Sequence, residues 1–305
     1  MLKKSLLSSF LGLFLIIAVS NAYELEQVGV ELEGGHIAKP GRFKHHVSIQ
    51  ILSLKDGCTY HACEGAILDE RHIITTAYCV ADNANESLVV VAGARDLRDK
   101  KAGLYHEVEY TYVPKTYRFV LYGLDDVAIL KLKTPLPLGT DSRIQAVKLP
   151  TADYSIEKGP SFLMSGYGFK EQHANRTLKR SYPSPVLRFD VQWNPFNDKQ
   201  CDANNKEFCT RLNAQSNWTT CNMYDGAPLV YGKYDSNNQR VYTLIGIFKY
   251  MNPYWCGSYT KHTKVSAYLD FINNVRNQVL NDVKSEKLPT DDYPNKLRRY
   301  PQCKL

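Results

Sequence analysis

Cross-linking constrains this chain most. Eight cysteines, Cys58, Cys63, Cys79, Cys201, Cys209, Cys221, Cys256 and Cys303, are spread through 305 residues. An even count suits four disulfides if the chain matures in an oxidising compartment. The N-terminus supplies that compartment. Lys3 and Lys4 precede an apolar run from Leu6 to Val19, and Ser20-Asn21-Ala22 offers a small-residue cleavage site after Ala22. Residues 1–22 therefore read as a secretory signal peptide. The run is short for a membrane span and is interrupted by Ser8, Ser9 and Gly12. Cysteine spacing leaves the pairing open. There is no Cys-x-x-Cys pair and the histidines lack zinc spacing, so neither a metal site nor a cofactor is expected. Three Asn-x-Ser/Thr sequons, at Asn85, Asn175 and Asn217, suit glycosylated surface loops.

The net charge of +7 becomes +5 once Lys3 and Lys4 are removed. Basic residues are interspersed with acids, which argues against a nucleic-acid-binding class. Short runs of β-branched and aromatic residues follow one another: Val47 to Leu54, Cys63 to Leu68, Ile73 to Cys79, Leu88 to Gly93, Tyr110 to Val120 and Tyr242 to Tyr250. Turn residues separate them, as at Asp69-Glu70-Arg71, so they read as strands and hairpins. Near the end, Val265, Tyr268, Leu269, Ile272, Val275 and Val279 fall on one face of a helix. Beyond Asn281 the composition turns polar, and residues 282–305 read as a tail.

Four motifs stand in a fixed order: Leu32-Glu33-Gly34-Gly35, Ile73-Ile74-Thr75-Thr76-Ala77-Tyr78-Cys79, Asp125-Asp126-Val127-Ala128-Ile129-Leu130-Lys131-Leu132, and Cys221-Asn222-Met223-Tyr224-Asp225-Gly226-Ala227-Pro228-Leu229-Val230. Together they resemble the activation site, the histidine loop, the aspartate loop and the nucleophile loop of the chymotrypsin/trypsin-like serine proteases (peptidase S1). The resemblance covers about 32–281, after a short acidic segment at 23–31. It implies an all-β fold of two six-stranded antiparallel β-barrels with a C-terminal helix, the chain crossing between barrels near 132–150. It also implies Cys63–Cys79 and Cys221–Cys256 disulfides, and a Cys201–Cys209 pair closer in sequence than the family's usual one. Elimination then leaves Cys58 for Cys303, unless either bonds a partner chain.

The chemistry of the motifs has changed. The resemblance puts Tyr78 where the family has its catalytic histidine and Asp225 where it has its serine; of the triad positions, Asp126 retains its type. A phenol titrates near ~10 and has no second ring nitrogen by which to be oriented, so it is a poor substitute base. Glu31 stands before the activation motif instead of Lys or Arg, and Tyr224 replaces the carboxylate that would receive the new ammonium. Met223 replaces the oxyanion glycine. Thr219 occupies the base of the specificity pocket, Met251 replaces a glycine at its mouth, and Thr260 matches another pocket glycine. Lys249 replaces a serine that in the family bonds the triad aspartate. We therefore expect Lys249 to neutralise Asp126, with the Tyr78 hydroxyl donating to the same carboxylate, and Asp125 to face solvent.

Triad groups act as a unit, and losing one costs on the order of 10⁶ in turnover. The resemblance thus implies an inactive, secreted homologue of arthropod type, a regulator or decoy in an immune or seminal-fluid proteolytic cascade. Its partners would be proteases, cascade substrates or receptors. Two other readings stand beside it: a hydrolase in which Asp126 and Asp225 do acid/base work, and a structural or storage protein.

Overall fold

The computed structural model describes residues 36–303 except 54, 85, 119–122, 157–160, 169–183, 194–204, 213–224, 252–258 and 291. Fourteen strands among them make two sheets. The first sheet takes β2 (His46–Ser53), β3 (Cys58–Ile67), β4 (His72–Thr75), β5 (Val89–Ala92), β6 (Leu104–Pro114) and β7 (Ala128–Leu132). Their order is β5-β2-β3-β4-β7 with β6 pairing both β5 and β7, which closes a six-stranded antiparallel barrel. The second takes β8 (Ser161–Gly166), β9 (Arg188–Trp193), β10 (Glu207–Leu212), β11 (Pro228–Tyr234), β12 (Arg240–Met251) and β13 (Thr260–Lys264). Here β8 pairs both β9 and β11, closing a second six-stranded barrel.

Closure explains why the apolar pattern of these strands is so dense. One face fills a barrel and the other lies under neighbouring segments, so seven of the eight residues of β2 are buried. Val47, Ile49, Ile51, Val90 and Leu130 pack in the first barrel. Phe162, Met164, Leu229 and Ile245 pack in the second. A third cluster, with Tyr167, Phe189, Leu244, Tyr268 and Ile272, runs along the seam.

Each barrel carries a seventh strand beyond the six expected. Strand β1 (His36–Ile37) pairs with β9 of the second barrel. Strand β14 (Val283–Lys287) pairs with β6 of the first, over Val283↔Pro114 to Lys287↔Tyr110. The segment after 281 is thus built into the first barrel. Val283, Leu288 and Leu297 are buried, a short helix spans Tyr293–Arg299, and Cys303 is bonded to Cys58. Main-chain bonds Thr59 N–H to Pro301 O and Cys303 N–H to Thr59 O, both 2.8 Å, continue the attachment.

Two local expectations change. The run Ile73 to Cys79 is a strand only to Thr75; Thr76 then accepts from the Cys79 N–H at 3.3 Å and caps a helix over Ala77–Asp82. The C-terminal helix is shorter than its apolar pattern. Val265–Tyr268 is a 3₁₀ turn, the α-helix proper is Leu269–Arg276, and Gln278 at φ 58° ends it. Val265, Tyr268, Ile272 and Val275 are buried, whereas Val279, past the turn, is 47% exposed.

Candidate functional site

The site is assembled from four segments at the seam. The capped helix brings Tyr78, the turn before β7 brings Asp126, the turn before β11 brings Asp225, and β12 brings Lys249. Asp126 is 4% exposed, and its Oδ1 accepts the Tyr78 backbone N–H at 2.8 Å. The Ala77 N–H bonds the same carboxylate. Thr263 Oγ1 donates to the Asp126 main-chain carbonyl at 2.8 Å, locking the turn to β13. Burial raises the Asp126 pKa to about 6, against the two N–H groups and the charge of Lys249.

Asp225 sits on a loop held by main-chain bonds. Its carbonyl accepts the Glu64 N–H at 2.9 Å, and the Gly226 N–H reaches Phe248 O at 3.0 Å. Gly226 is held at φ 90°, and a Cβ there would stand 2.0 Å from Glu64 O and 2.3 Å from Thr75 Oγ1. That close approach explains why this position remains glycine while the residue before it has changed. Burial, then the charges of Asp126 and Asp82, raise the Asp225 pKa to about 8, with Lys249 opposing. Burial and the neighbouring carboxylates thus favour the neutral acid at Asp225. Tyr117 belongs to the same group. Among the described residues its buried hydroxyl has no hydrogen-bond partner, and burial followed by Asp126, Tyr78 and Asp225 pushes its pKa up.

The expected Lys249–Asp126 pair does not form. Lys249 is 6% exposed and its Nζ donates to Glu207 Oε1 and, at 2.6 Å, to Gly123 O. Lys261 holds the other Glu207 oxygen at 3.2 Å. The cause is local. Lys249 occupies the register shift between Phe248 and Tyr250, a bulge that re-aims its side chain towards β10. Asp126 already has two backbone donors, whereas Glu207 is buried and needs a cation. The Tyr78 contact likewise comes from its main chain. Asp125, expected in solvent, is 8% exposed; Lys206 Nζ at 2.6 Å and the Tyr268 hydroxyl at 3.0 Å hold it. Burial alone would raise its pKa, but those donors and Thr116 leave it below the usual range. Its φ of 59° turns the side chain inward.

Thr260 closes a polar network inside the second barrel, its hydroxyl 2.8 Å from that of Thr210 and 3.0 Å from His262 Nε2. Met223, Tyr224, Thr219, Cys201, Cys221, Cys256, Asn85, Asn175 and Asn217, and the side chain of Met251, lie outside the described residues. Cys63 is bonded to Cys79, and Cys209 is in a disulfide whose partner is outside the described residues. Among the described residues no group of side chains could hold a metal ion, and no helix is long and apolar enough to cross a membrane.

Sequence reasoning missed a second polar cluster at the seam. Glu64 is fully buried, accepts the Tyr167 N–H at 2.6 Å, and has His61 Nε2 at 3.4 Å and His46 Nε2 at 3.7 Å. Ser48 Oγ lies 2.7 Å from His61 Nδ1. The order Ser–His–Glu resembles a hydrolytic triad, but Ser48 and Glu64 are 0% exposed, so no substrate reaches them. Burial raises Glu64 and pushes His46 well below its ordinary value. The available signal was Glu64 itself, a carboxylate inside the strand-like run from Cys63 to Leu68.

Tyr78, Asp126 and Asp225 are thus brought to one region, with Tyr78 joined to Asp126 through its main chain and the two carboxyls both buried. Comparison with known proteins gives the ancestry. The chain is 26% identical over 232 residues to clotting factor C of Tachypleus tridentatus, covering 69% of this chain and 22% of that protein. It is 27% identical over 251 residues to chymotrypsin-C of Mus musculus, covering 78% and 86%. It therefore spans about a fifth of the length of the clotting factor. Among solved structures, a mutant of human heparin binding protein superposes with a TM-score of 0.62 at 24% identity, covering 80% of this chain and 96% of that one, which supports the fold alone. The Trypsin family model matches residues 32–272, and the chain belongs to that family of chymotrypsin-like serine proteases.

Proposed function

We propose that this chain is a secreted, non-catalytic serine protease homologue that acts by binding extracellular proteins, as a regulator or decoy in a proteolytic cascade. One observation carries the reading. The residue whose main-chain N–H Asp126 accepts is Tyr78, a phenol and not an imidazole, and the nucleophile position holds an Asp whose pKa is raised to about 8. A neutral carboxyl is a weak nucleophile, and an ionised one would repel an oxyanion formed beside it. The disulfides support an extracellular setting. The cascade setting draws on a relative named clotting factor C.

A second reading has one observation in its favour. Asp126 and Asp225 are two buried carboxyls whose pKa values are raised to about 6 and about 8, a range that serves general acid/base chemistry. One experiment separates the two. The purified chain is treated with a fluorophosphonate probe and screened against a peptide library between about pH 5 and 8, where such a pair would be active, with chymotrypsin-C as positive control. The binding reading expects neither labelling nor turnover. Turnover abolished by Asp225→Ala overturns it in favour of the second. Recovery of a specific protein from native extracellular fluid on the immobilised chain then separates regulation from a storage role.

A further inference from the structure

A cavity of about 690 Å³ opens where three segments meet: the turn before β2, the crossing between the barrels, and the β11–β12 hairpin. Its walls are pinned by main-chain bonds. Gln145 N–H reaches Lys44 O at 3.0 Å, Lys148 N–H reaches Tyr242 O at 3.1 Å, and Leu244 N–H reaches Lys148 O at 2.8 Å. The cavity is therefore preformed. It shares no residue with the altered triad.

Five cations line it: Lys39, Arg42, Lys44, Lys148 and Arg240. Among the described residues none of the five has a carboxylate partner. The lining includes one acid, Asp235, and one of its oxygens already accepts the Asn237 and Gln239 N–H groups, both at 2.9 Å. Like charges gathered without acids destabilise the folded state, so a ligand that neutralises them recovers that energy. Arg42 is held ready, its guanidinium 3.9 Å from the centre of the Phe189 ring and its Nε without a partner. Burial, and more weakly Arg240, push its pKa below the ordinary value, against Tyr242.

At the rim, Tyr234 is 54% exposed, with Arg240 5.1 Å from its ring centre. An exposed ring beside several separated cations suits a ligand with an apolar face and multiple anionic groups. A single small anion would engage only part of the set, since the cations come from all three walls. A single-stranded nucleic acid is held by successive aromatic faces as well as cations; Tyr242, the other tyrosine here, is already stacked on Phe43 at 5.5 Å. We infer that this cavity is a binding site for a sulfated oligosaccharide, with sulfates on the five cations and a sugar face on Tyr234. The assignment does not depend on whether the chain cleaves peptides.

The test is titration calorimetry of the full chain with a heparin-derived octasaccharide, in low and high salt. Comparison ligands are the same octasaccharide fully desulfated, and polyphosphate and single-stranded DNA of equal charge. Lys39, Lys148 and Arg240 are exposed, so Lys39→Ala/Lys148→Ala removes charge without disturbing the core. Lys101→Ala/Lys284→Ala removes equal charge from exposed positions outside the cavity. The expected result is binding that weakens with salt, is lost on desulfation, and is about tenfold or more weaker in the cavity variant, with less than about a twofold change in the control variant. No binding of the sulfated ligand, equal losses in the two variants, or equal binding of desulfated sugar, polyphosphate or DNA overturns the assignment.

Discussion

The Asp225→Asn variant tests the electrostatics of the loop before β11. Asp225 titrates at 3.8 when unfolded and at about 8 in the folded chain. Between those values the unfolded state releases a proton that the folded state keeps, so stability falls as pH rises from 3.8 to about 8, and is level beyond. The shift of about four units corresponds to an upper limit of about 6 kcal/mol at ~1.4 kcal/mol per unit. Water at the half-buried loop and coupling to Asp126 reduce this to about 2–3 kcal/mol. Asparagine keeps the shape of the neutral acid and cannot ionise. Asp225→Asn should therefore match the parent at pH 4, exceed it by about half the full difference at pH 6, and exceed it by about 2 kcal/mol or more at pH 9. Urea unfolding at the three pH values, with disulfides intact, measures the difference directly. A variant no more stable than the parent at pH 9, or a difference independent of pH, refutes the reasoning.

Other perturbations have equally definite outcomes. Gly226→Ala drives a Cβ into Glu64 O, and should cost more than about 4 kcal/mol or abolish recovery of folded protein, read by thermal unfolding and yield. Glu207→Gln leaves buried Lys249 without its counter-charge and should cost about 3–5 kcal/mol, whereas Glu207→Leu with Lys249→Met should recover most of it in urea melts. His262 is buried with its pKa lowered to about 3, so the unfolded state takes up its proton first. Its share of stability is complete above 6.5 and lost as pH falls towards 3, and His262→Gln should flatten that part of the pH profile. Cys58→Ser with Cys303→Ser should cost about 2–4 kcal/mol and speed hydrogen exchange in β14.

The barrels were readable because closure leaves a strong trace in sequence: buried apolar runs such as Val89–Ala92 and Ala128–Leu132, cut by turns, at motif positions in a fixed order. The location of Asp126, Asp225 and Tyr78 at one seam followed from the same order. What could not be read were choices made in three dimensions. Lys249 pairs with Glu207 because a bulge in β12 redirects it, and nothing in the spacing of residues 207 and 249 signals that contact. Asp125 turns inward through a positive φ that its sequence neighbours do not require. The tail is polar because β14 is an outer strand with one buried residue, Val283, so composition alone hides its pairing. The basic cavity was hidden for another reason: Lys39, Arg42 and Lys44 stand more than a hundred residues from Lys148 and about two hundred from Arg240, and only the fold gathers them.

The strand β14 and the Cys58–Cys303 bond also set an order of events during synthesis. A ribosome delivers the first barrel's six strands long before residues 283–303 emerge, yet β6 is covered along one edge only when those residues arrive. Until then Tyr110 to Pro114 presents unpaired main-chain groups, the kind of edge that recruits other strands. The N-terminal barrel, first to be made, is the last to be completed, so its maturation waits on the arrival of residues 283–303 and on a thiol at position 58 kept reduced, or shuffled, until its partner appears.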